Sequence, residues 1–130
     1  MVKDKMMEIY NVLSADEYIN SECCDGMKFY DYPETADTTR PFIIIEPLEV
    51  ISPSVHGSDK EITVQFSYQI DVQGHDRMTV KNIQARIKEL MLTQGFSQLH
   101  YGMDRYFRET KRYVDARRYT GNSKIYDTDY

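Results

Sequence analysis

The chain has 130 residues, of which 41% are hydrophobic and 28% charged, and its formal net charge at pH 7 is −5. This length favours one domain with one core, and this composition excludes wholesale disorder. The longest apolar run, Phe42–Ile45, is far too short to span a bilayer, and the N-terminus lacks the apolar core of a signal peptide. We therefore expect a soluble protein made in a cytosol.

The chain opens with a predicted amphipathic helix. Its apolar positions recur at helical spacing and form one face: Val2, Met6, Ile9, Tyr10 and Leu13. Residues 14–25 are polar and acidic and break this pattern. They include the adjacent Cys23 and Cys24, and neighbouring cysteines rarely satisfy disulfide geometry. We expect reduced thiols, and no metal-ligand spacing accompanies them.

Two strands are predicted next. Met27–Glu34 has strand-like composition and is stopped by Pro33, and the run FIIIEPLEV after Pro41 is typical of a strand buried on both faces. Residues 52–60, SPSVHGSDK, predict a long polar loop that connects two strands as an extended hairpin tip. Such loops often contact a partner, and the candidate projecting residues are Ser54, Val55, His56, Gly57, Ser58, Asp59 and Lys60.

The strongest strand signal is EITVQFSYQIDVQG, Glu61–Gly74, which is about twice the usual strand length. Its apolar residues alternate with polar residues that are almost uncharged, whereas a solvated face usually carries Lys and Glu. We interpret the polar residues as a candidate contact with a neighbouring subunit or a channel: Thr63, Gln65, Ser67, Gln69, Asp71 and Gln73. The alternatives are that the N-terminal segment covers this face or that solvent does.

A second helix follows the long strand. Gly74 and Asp76 predict a turn and an N-cap, and Gly95 predicts the end of the helix. Between them lies a helical stripe: Val80, Ile83, Ile87, Leu90 and Met91. Two further strands are predicted at about Ser97–Met103 and Arg112–Thr120, with a charged turn between them.

The predicted order is α-β-β-β-α-β-β. It favours a single α+β domain over residues 1–122, with a mainly antiparallel sheet of about five strands and two helices on one face. Residues 123–130 have little to bury and predict a loose C-terminal tail.

Catalytic motifs are missing from the sequence. His56, His75 and His100 stand alone, without the spacing of metal ligands, and the six glycines form no phosphate-binding motif. Asp71 is the one carboxylate in an unusual place, and a lone Asp at a strand end more often caps a turn or pairs with an arginine. We expect no enzyme, no cofactor and no bound metal.

A basic and aromatic cluster lies in the last third of the chain. Its candidate contact residues are Arg105, Tyr106, Arg108, Arg112, Tyr113, Arg117, Arg118 and Tyr119. This combination suits single-stranded nucleic acid, which needs phosphate neutralisation and stacking surfaces. It also suits a protein interface, where arginine and tyrosine are enriched. Because the chain as a whole is acidic, with a pI near 5.2, the protein interface is the favoured hypothesis.

Charge is divided unevenly along the chain. Residues 1–60 carry five Lys/Arg and twelve Asp/Glu, a balance of −7, and residues 61–130 carry eleven and nine, a balance of +2. If the two signs lie on different faces, copies of the chain can attract one another head to tail. The alternative is that these charges are scattered and solvated.

The order of these segments resembles a known family. The resemblance rests on these segments: the short leading helix, FYDYPE at Phe29–Glu34, PFIIIEPLEV at Pro41–Val50, the strand QFSYQIDVQG, the helix end LTQGF and the closing RRYTG. Together, over about residues 1–122, they resemble the tail terminator (tail-completion) proteins of long-tailed, non-contractile phages, in particular those of Gram-positive bacteria.

The resemblance implies an α+β virion protein that forms a ring, typically a hexamer. Such a ring caps the head-proximal end of the tail tube, stops its polymerisation and presents a surface to the head connector, while DNA passes through the lumen without specific binding. The loop Ser52–Lys60 would then project towards the tube or line the channel. The alternative roles are a head-completion or neck protein of the same assembly and, in another class, a single-stranded nucleic-acid binder.

Overall fold

The computed structural model describes the backbone of residues 1–57 and 60–130 and the side chains of residues 1–54 and 63–130. This part of the chain forms an α+β fold with three helices and six strands. In chain order they are α1 Lys5–Ser14, α2 Glu17–Cys23, β1 Met27–Phe29, β2 Phe42–Pro47, β3 Ser52–Gly57, β4 Lys60–Gly74, α3 Arg77–Thr93, β5 Phe96–Phe107 and β6 Arg112–Asn122. The predicted fold class is confirmed.

Each helix begins at an aspartate cap. The side chains of Asp4, Asp16 and Asp76 accept hydrogen bonds from backbone N–H groups in the first turns of α1, α2 and α3. Helix α3 is followed closely by Gly95. Its φ of +82° lies in the left-handed region, which glycine adopts more easily than other residues. The predicted turn and cap residues of α3 are therefore confirmed.

The sheet is built around β4. Its strand order is β1-β2-β4-β6-β5, and β3 pairs with the first part of β4 on the same side as β2. All pairs are antiparallel except β1 with β2. Because β4 is 15 residues long, it can pair with β3 and then β2 along one edge and with β6 along the other.

The core lies on one side of the sheet. Alternate residues of β4, from Val64 to Val72, form one buried cluster with residues of all three helices. Ile43 and Ile45 of β2 extend this cluster, and Ile44 on the opposite face of the same strand is also buried. The prediction of a strand buried on both faces is confirmed for β2. The helices leave the other side of the sheet open.

Four local predictions were wrong. The polar segment 14–25 contains α2, whose apolar signal consists of only Ile19 and Cys23, both buried. Strand β1 ends at Phe29 rather than near Pro33, because Tyr30 adopts a φ of +66°. Strand β5 continues to Phe107, beyond its predicted end near Met103, whereas β6 agrees with its prediction. Residues 52–57 form a strand instead of a loop.

The C-terminal residues, predicted to be loose, carry no helix or strand after Asn122. They are nevertheless in contact with the domain. The Tyr130 ring packs edge-on against Phe66, with 4.8 Å between the ring centroids, and the N–H of Lys3 donates to the carbonyl of Asp129. The C-terminal end of the tail is therefore packed against the domain and is not loose.

Candidate functional site

The predicted polar residues of β4 lie on the side of the sheet that the helices leave open. Because strand side chains alternate, they point away from the apolar residues that contact the helices. We call this set the polar face: Thr63, Gln65, Ser67, Gln69, Asp71 and Gln73. Thr63 and Ser67 are buried by their neighbours, and the other four are half-buried. The hypothesis that the N-terminal segment covers this face is not supported, since that segment packs on the core side.

Gln69 is the centre of a bridge across three strands. Its Oε1 accepts from Nε of Arg118 in β6 at 3.0 Å. Its Nε2 donates to Oε1 of Glu46 in β2 at 3.3 Å and to Oδ1 of Asp71 at 2.9 Å. One amide thus bonds to a cation and two carboxylates, and the bonds fix its orientation on the sheet surface.

A second bridge surrounds Thr120 of β6. Its Oγ1 donates to the carbonyl of Phe66 and accepts from Gln65 Nε2 and Ser67 Oγ, each at 3.2 Å. Ser67 Oγ also lies 3.2 Å from Oε1 of Glu49, and its single proton can be donated either to Thr120 or to Glu49. The side chains of Gln65, Ser67 and Gln69 therefore bond across the sheet, so a partner that covers them meets donors and acceptors that are already paired.

The charges at the polar face are mainly negative. Its side chains donate to three carboxylates, those of Glu46, Glu49 and Asp71. Among the described residues, the cation that bonds to the side chains of the polar face is Arg118. Burial raises the pKa of Asp71, and nearby Glu46 acts in the same direction, while the bond from Gln69 opposes them. Such a surface repels polyphosphate at neutral pH.

The predicted projecting loop has a different structure. Residues 52–57 are strand β3, paired with β4 in a register that runs from Ser52 with Gln65 to Gly57 with Lys60. Ser54 and Thr63 share a hydrogen bond of 2.5 Å between their hydroxyl oxygens. The predicted hairpin is confirmed, but residues 52–57 belong to its strand and not to a long loop. Ser58 and Asp59 lie outside the described residues, as do the side chains of Val55, His56 and Lys60.

The basic and aromatic cluster does not form one surface. Tyr119 is 1% exposed and belongs to the core, which corrects its assignment as a contact residue. The correction follows from strand alternation, because Tyr119 pairs with Tyr68 on the helix side. Arg117 bonds to Asp115 and Arg118 to Gln69, on opposite sides of β6.

The rest of this cluster lies near the β5–β6 turn. The guanidinium of Arg112 lies over the ring of Phe42, 5.3 Å from its centroid. Tyr113 packs against Tyr106 with 4.7 Å between ring centroids. Arg105, Tyr106 and Arg108 are exposed. Two of the five predicted arginines are therefore exposed, which weakens the nucleic-acid hypothesis.

Sequence reasoning missed a polar network beneath α3. Asp115 is 3% exposed, yet it accepts from Lys81 Nζ at 2.6 Å and Arg117 Nε at 3.1 Å. Desolvation lowers the pKa of Lys81, but bonds to Asp104 and Asp115 outweigh it and raise the pKa overall. Gln84, fully buried, donates Nε2 to the carbonyls of Ile70 and Asp115. The sequence signal for this network was the alternation of β6, which places the charged Asp115 and Arg117 on the side that faces the helices.

Metal ligands, membrane-spanning helices and thiols are the remaining features that could mark a site. Among the residues that the structure describes, no group of His, Cys, Asp and Glu side chains is arranged to hold a metal ion. No helix in the same part of the chain is long and apolar enough to cross a membrane. The thiol of Cys23 is buried, which raises its pKa to about 12, and Cys24 is exposed.

Comparison with solved structures shows a likeness of fold. The chain has the same fold as a chain in the structure "Virion of native gene transfer agent (GTA) particle", with a TM-score of 0.61 and 12% sequence identity. The match covers 90% of this chain and 90% of that chain. It is a likeness of fold. No protein-family model matches the sequence, and no curated protein matches it either.

Proposed function

We propose that this protein is a structural component of a tailed, phage-like virion, and that it acts as the tail terminator. The observation that supports this most is the fold shared with a chain of a gene transfer agent virion, a likeness that spans nine-tenths of both chains. The order of sequence motifs, which resembles the tail terminators of long-tailed phages, supports the finer role. The proposal is of an assembly protein without catalytic activity.

The polar face supplies a surface suited to this role. Its amide and hydroxyl groups bond to the carboxylate of Glu46 in β2 and to Arg118 and Thr120 in β6. A partner that covers the amide and hydroxyl groups meets groups that are already bonded, whereas the carboxylates of Glu46, Glu49 and Asp71 would have to stay hydrated or meet a cation. We assign this face to a neighbouring subunit or to the lumen, where the carboxylates of Glu46, Glu49 and Asp71 would keep passing DNA from binding.

The proposed mechanism is physical. A growing tail tube presents a repeating end to which another ring of tube subunits can add. A ring of this protein, a hexamer if it follows the family that it resembles, would bind that end with one surface and present a different surface outward. Further addition then stops because the outward surface does not match a tube subunit.

Tube growth tests this role directly. Tube protein from the phage that carries this chain is polymerised with and without the purified protein, and tube lengths are measured by electron microscopy. We expect the protein to stop elongation and to add density at one end of each tube. Tubes that elongate equally in both samples, with bare ends, would contradict the proposal.

A binding assay separates the terminator from the neck role. The protein is immobilised, and tube protein and head connector protein are offered separately. The terminator role predicts retention of assembled tube with or without connector. Retention of connector alone, with no binding to tube ends, would assign the protein to the head-completion or neck position instead.

A further inference from the structure

Strand β5 forms one end of the sheet, and its outer edge has no partner among the described strands. Eleven of its twelve residues are not buried. Four large apolar side chains lie on it or at its end, with exposed fractions of 71% for Tyr101, 42% for Met103, 48% for Tyr106 and 37% for Phe107. An unpaired edge with exposed apolar side chains is a template for pairing with another chain.

A bulge divides this edge into two parts. The register with β6 jumps between Gln98 and Gly102, so that Leu99–Tyr101 face Arg118 without regular pairing. At Gly102 a Cβ atom would lie 2.4 Å from the carbonyl oxygen of Ala116, so only glycine fits there. Pairing is regular again from Gly102 to Phe107. This six-residue stretch is the straight part of the free edge.

The charges beside this stretch are mainly positive. Arg105, Arg108 and Lys111 are exposed and form no ion pair within the described chain. Residues 101–111 carry two acids, Asp104 and Glu109, and Asp104 is already paired with Lys81. The β5 edge, defined as residues 101–111, therefore presents cations and apolar side chains together.

The opposite end of the sheet has the opposite charge. Strand β1 is the terminal strand there, and residues 25–37 around it carry four acids, Asp25, Asp31, Glu34 and Asp37, against the single cation Lys28. All four acids are exposed, and none is in an ion pair within the part of the chain that the structure describes. We call residues 25–37 the β1 rim.

We propose that copies of this chain associate head to tail, with the β5 edge of one copy docked on the β1 rim of the next. The occupant of the edge is a second copy because the complementary charge lies at the other end of the same sheet. A contact between two different surfaces closes into a ring when its rotation allows. This contact deepens the proposed function, since a ring needs it, but it can be tested without a tail tube.

Charge reversal tests the contact. One variant combines Arg105→Glu with Arg108→Glu, and the other combines Asp25→Lys with Glu34→Lys; none of these four side chains makes a hydrogen bond within the described residues. Self-association is measured by sedimentation at about 50 mM salt, where charges are weakly screened. We expect each variant to weaken association at least about tenfold, and the chain with all four changes to recover to within about threefold of the original.

The control changes net charge without touching either end of the sheet. Arg77→Glu with Lys124→Glu matches the arginine variant in net charge, and both residues are exposed. We expect it to associate like the original chain, with every variant folded by circular dichroism. The proposal is overturned if the original chain stays monomeric up to about 1 mM, or if the fourfold variant fails to recover. Recovery without capping of tail tubes would instead remove the terminator role alone.

Discussion

The two sides of β4 show how one strand serves two purposes. On one side, Val64, Phe66, Tyr68, Ile70 and Val72 are buried against three helices. On the other side, the polar face bonds mainly to its neighbours within the sheet. The difference indicates that the free energy of folding comes mainly from the helix side, because apolar burial dominates it. The polar face is left available for a partner.

The largest expected effect lies on the helix side. Ile83 of α3 is fully buried in the core, so Ile83→Ala should lower the free energy of unfolding by about 2–5 kcal/mol. On the polar face, Gln73→Ala should change it by less than about 0.5 kcal/mol. Urea unfolding measures both. Equal losses in the two variants would remove the distinction between the sides.

A second prediction concerns how α2 is held on the helix side. Oδ1 of Asp16 accepts from Arg86 Nε at 2.9 Å and Nη2 at 2.7 Å, and Oδ2 accepts from the N–H of Ile19. Asp16→Ala removes the cap and the ion pair together, so we expect a loss of about 2–3 kcal/mol at pH 7. Glu17→Ala, an exposed change in the same turn, is the control and should cost little.

The pH dependence of this loss has a definite sign. The bonds from Arg86 hold the pKa of Asp16 below its ordinary value of 3.8. The charged carboxylate therefore stabilises the fold above that value, and this stabilisation is lost as the pH falls through the folded-state pKa. The difference between the original chain and Asp16→Ala should shrink below about pH 4. A difference that is constant from pH 7 to 3 would contradict this origin.

A third prediction sharpens the contrast on the polar side. Thr120→Val keeps the shape of the side chain but removes its donor to Phe66 and its acceptor for Gln65 and Ser67. We expect a loss of about 1 kcal/mol, because these groups are partly accessible to water. Thermal unfolding measures it. A loss as large as that of Ile83→Ala would mean that the polar face also determines folding.

A small effect of the opposite sign is expected at Asp71. Burial raises its pKa, so the fold disfavours the charged form and loses stability as the pH rises through the folded-state pKa. Asp71→Asn keeps an acceptor for Gln69 and should slightly stabilise the protein at pH 7, by less than about 1 kcal/mol. The gain should vanish near pH 3, where both side chains are neutral. Destabilisation at pH 7 would mean that the charge itself is needed, through Arg118.

Regular local patterns made much of the fold predictable. The alternation in β4 separated the two sides of the sheet, and the stripe from Val80 to Met91, with Asp76 and Gly95 at its ends, located α3. Strand β3 was missed because Ser, Pro and Gly are poor strand formers and only pairing with β4 stabilises it. Helix α2 was missed because its two buried residues are too few to show a helical hydrophobic period.

The side-chain partners were less predictable, because they depend on contacts between distant segments. Arg117 was predicted to be a contact residue, whereas it pairs with Asp115, which also accepts from Lys81 beneath α3. The neighbouring charges also led to the assignment of Tyr119 as a contact residue, although its side chain is buried. Alternation along β4 predicted which residues share the polar face, but their bonds to Glu46, Arg118 and Thr120 follow only from the order of strands.

One measurement tests the central claim, that the polar face serves assembly and not folding. The variant Gln65→Lys with Gln73→Lys adds two charges to that face, and Asn11→Lys with Asn20→Lys adds two to exposed positions of α1 and α2. Both are compared for thermal stability and for capping of tail tubes by electron microscopy. We expect both to fold, and only the first to lose capping, by at least about tenfold. Equal capping by both variants would show that the polar face contacts only solvent.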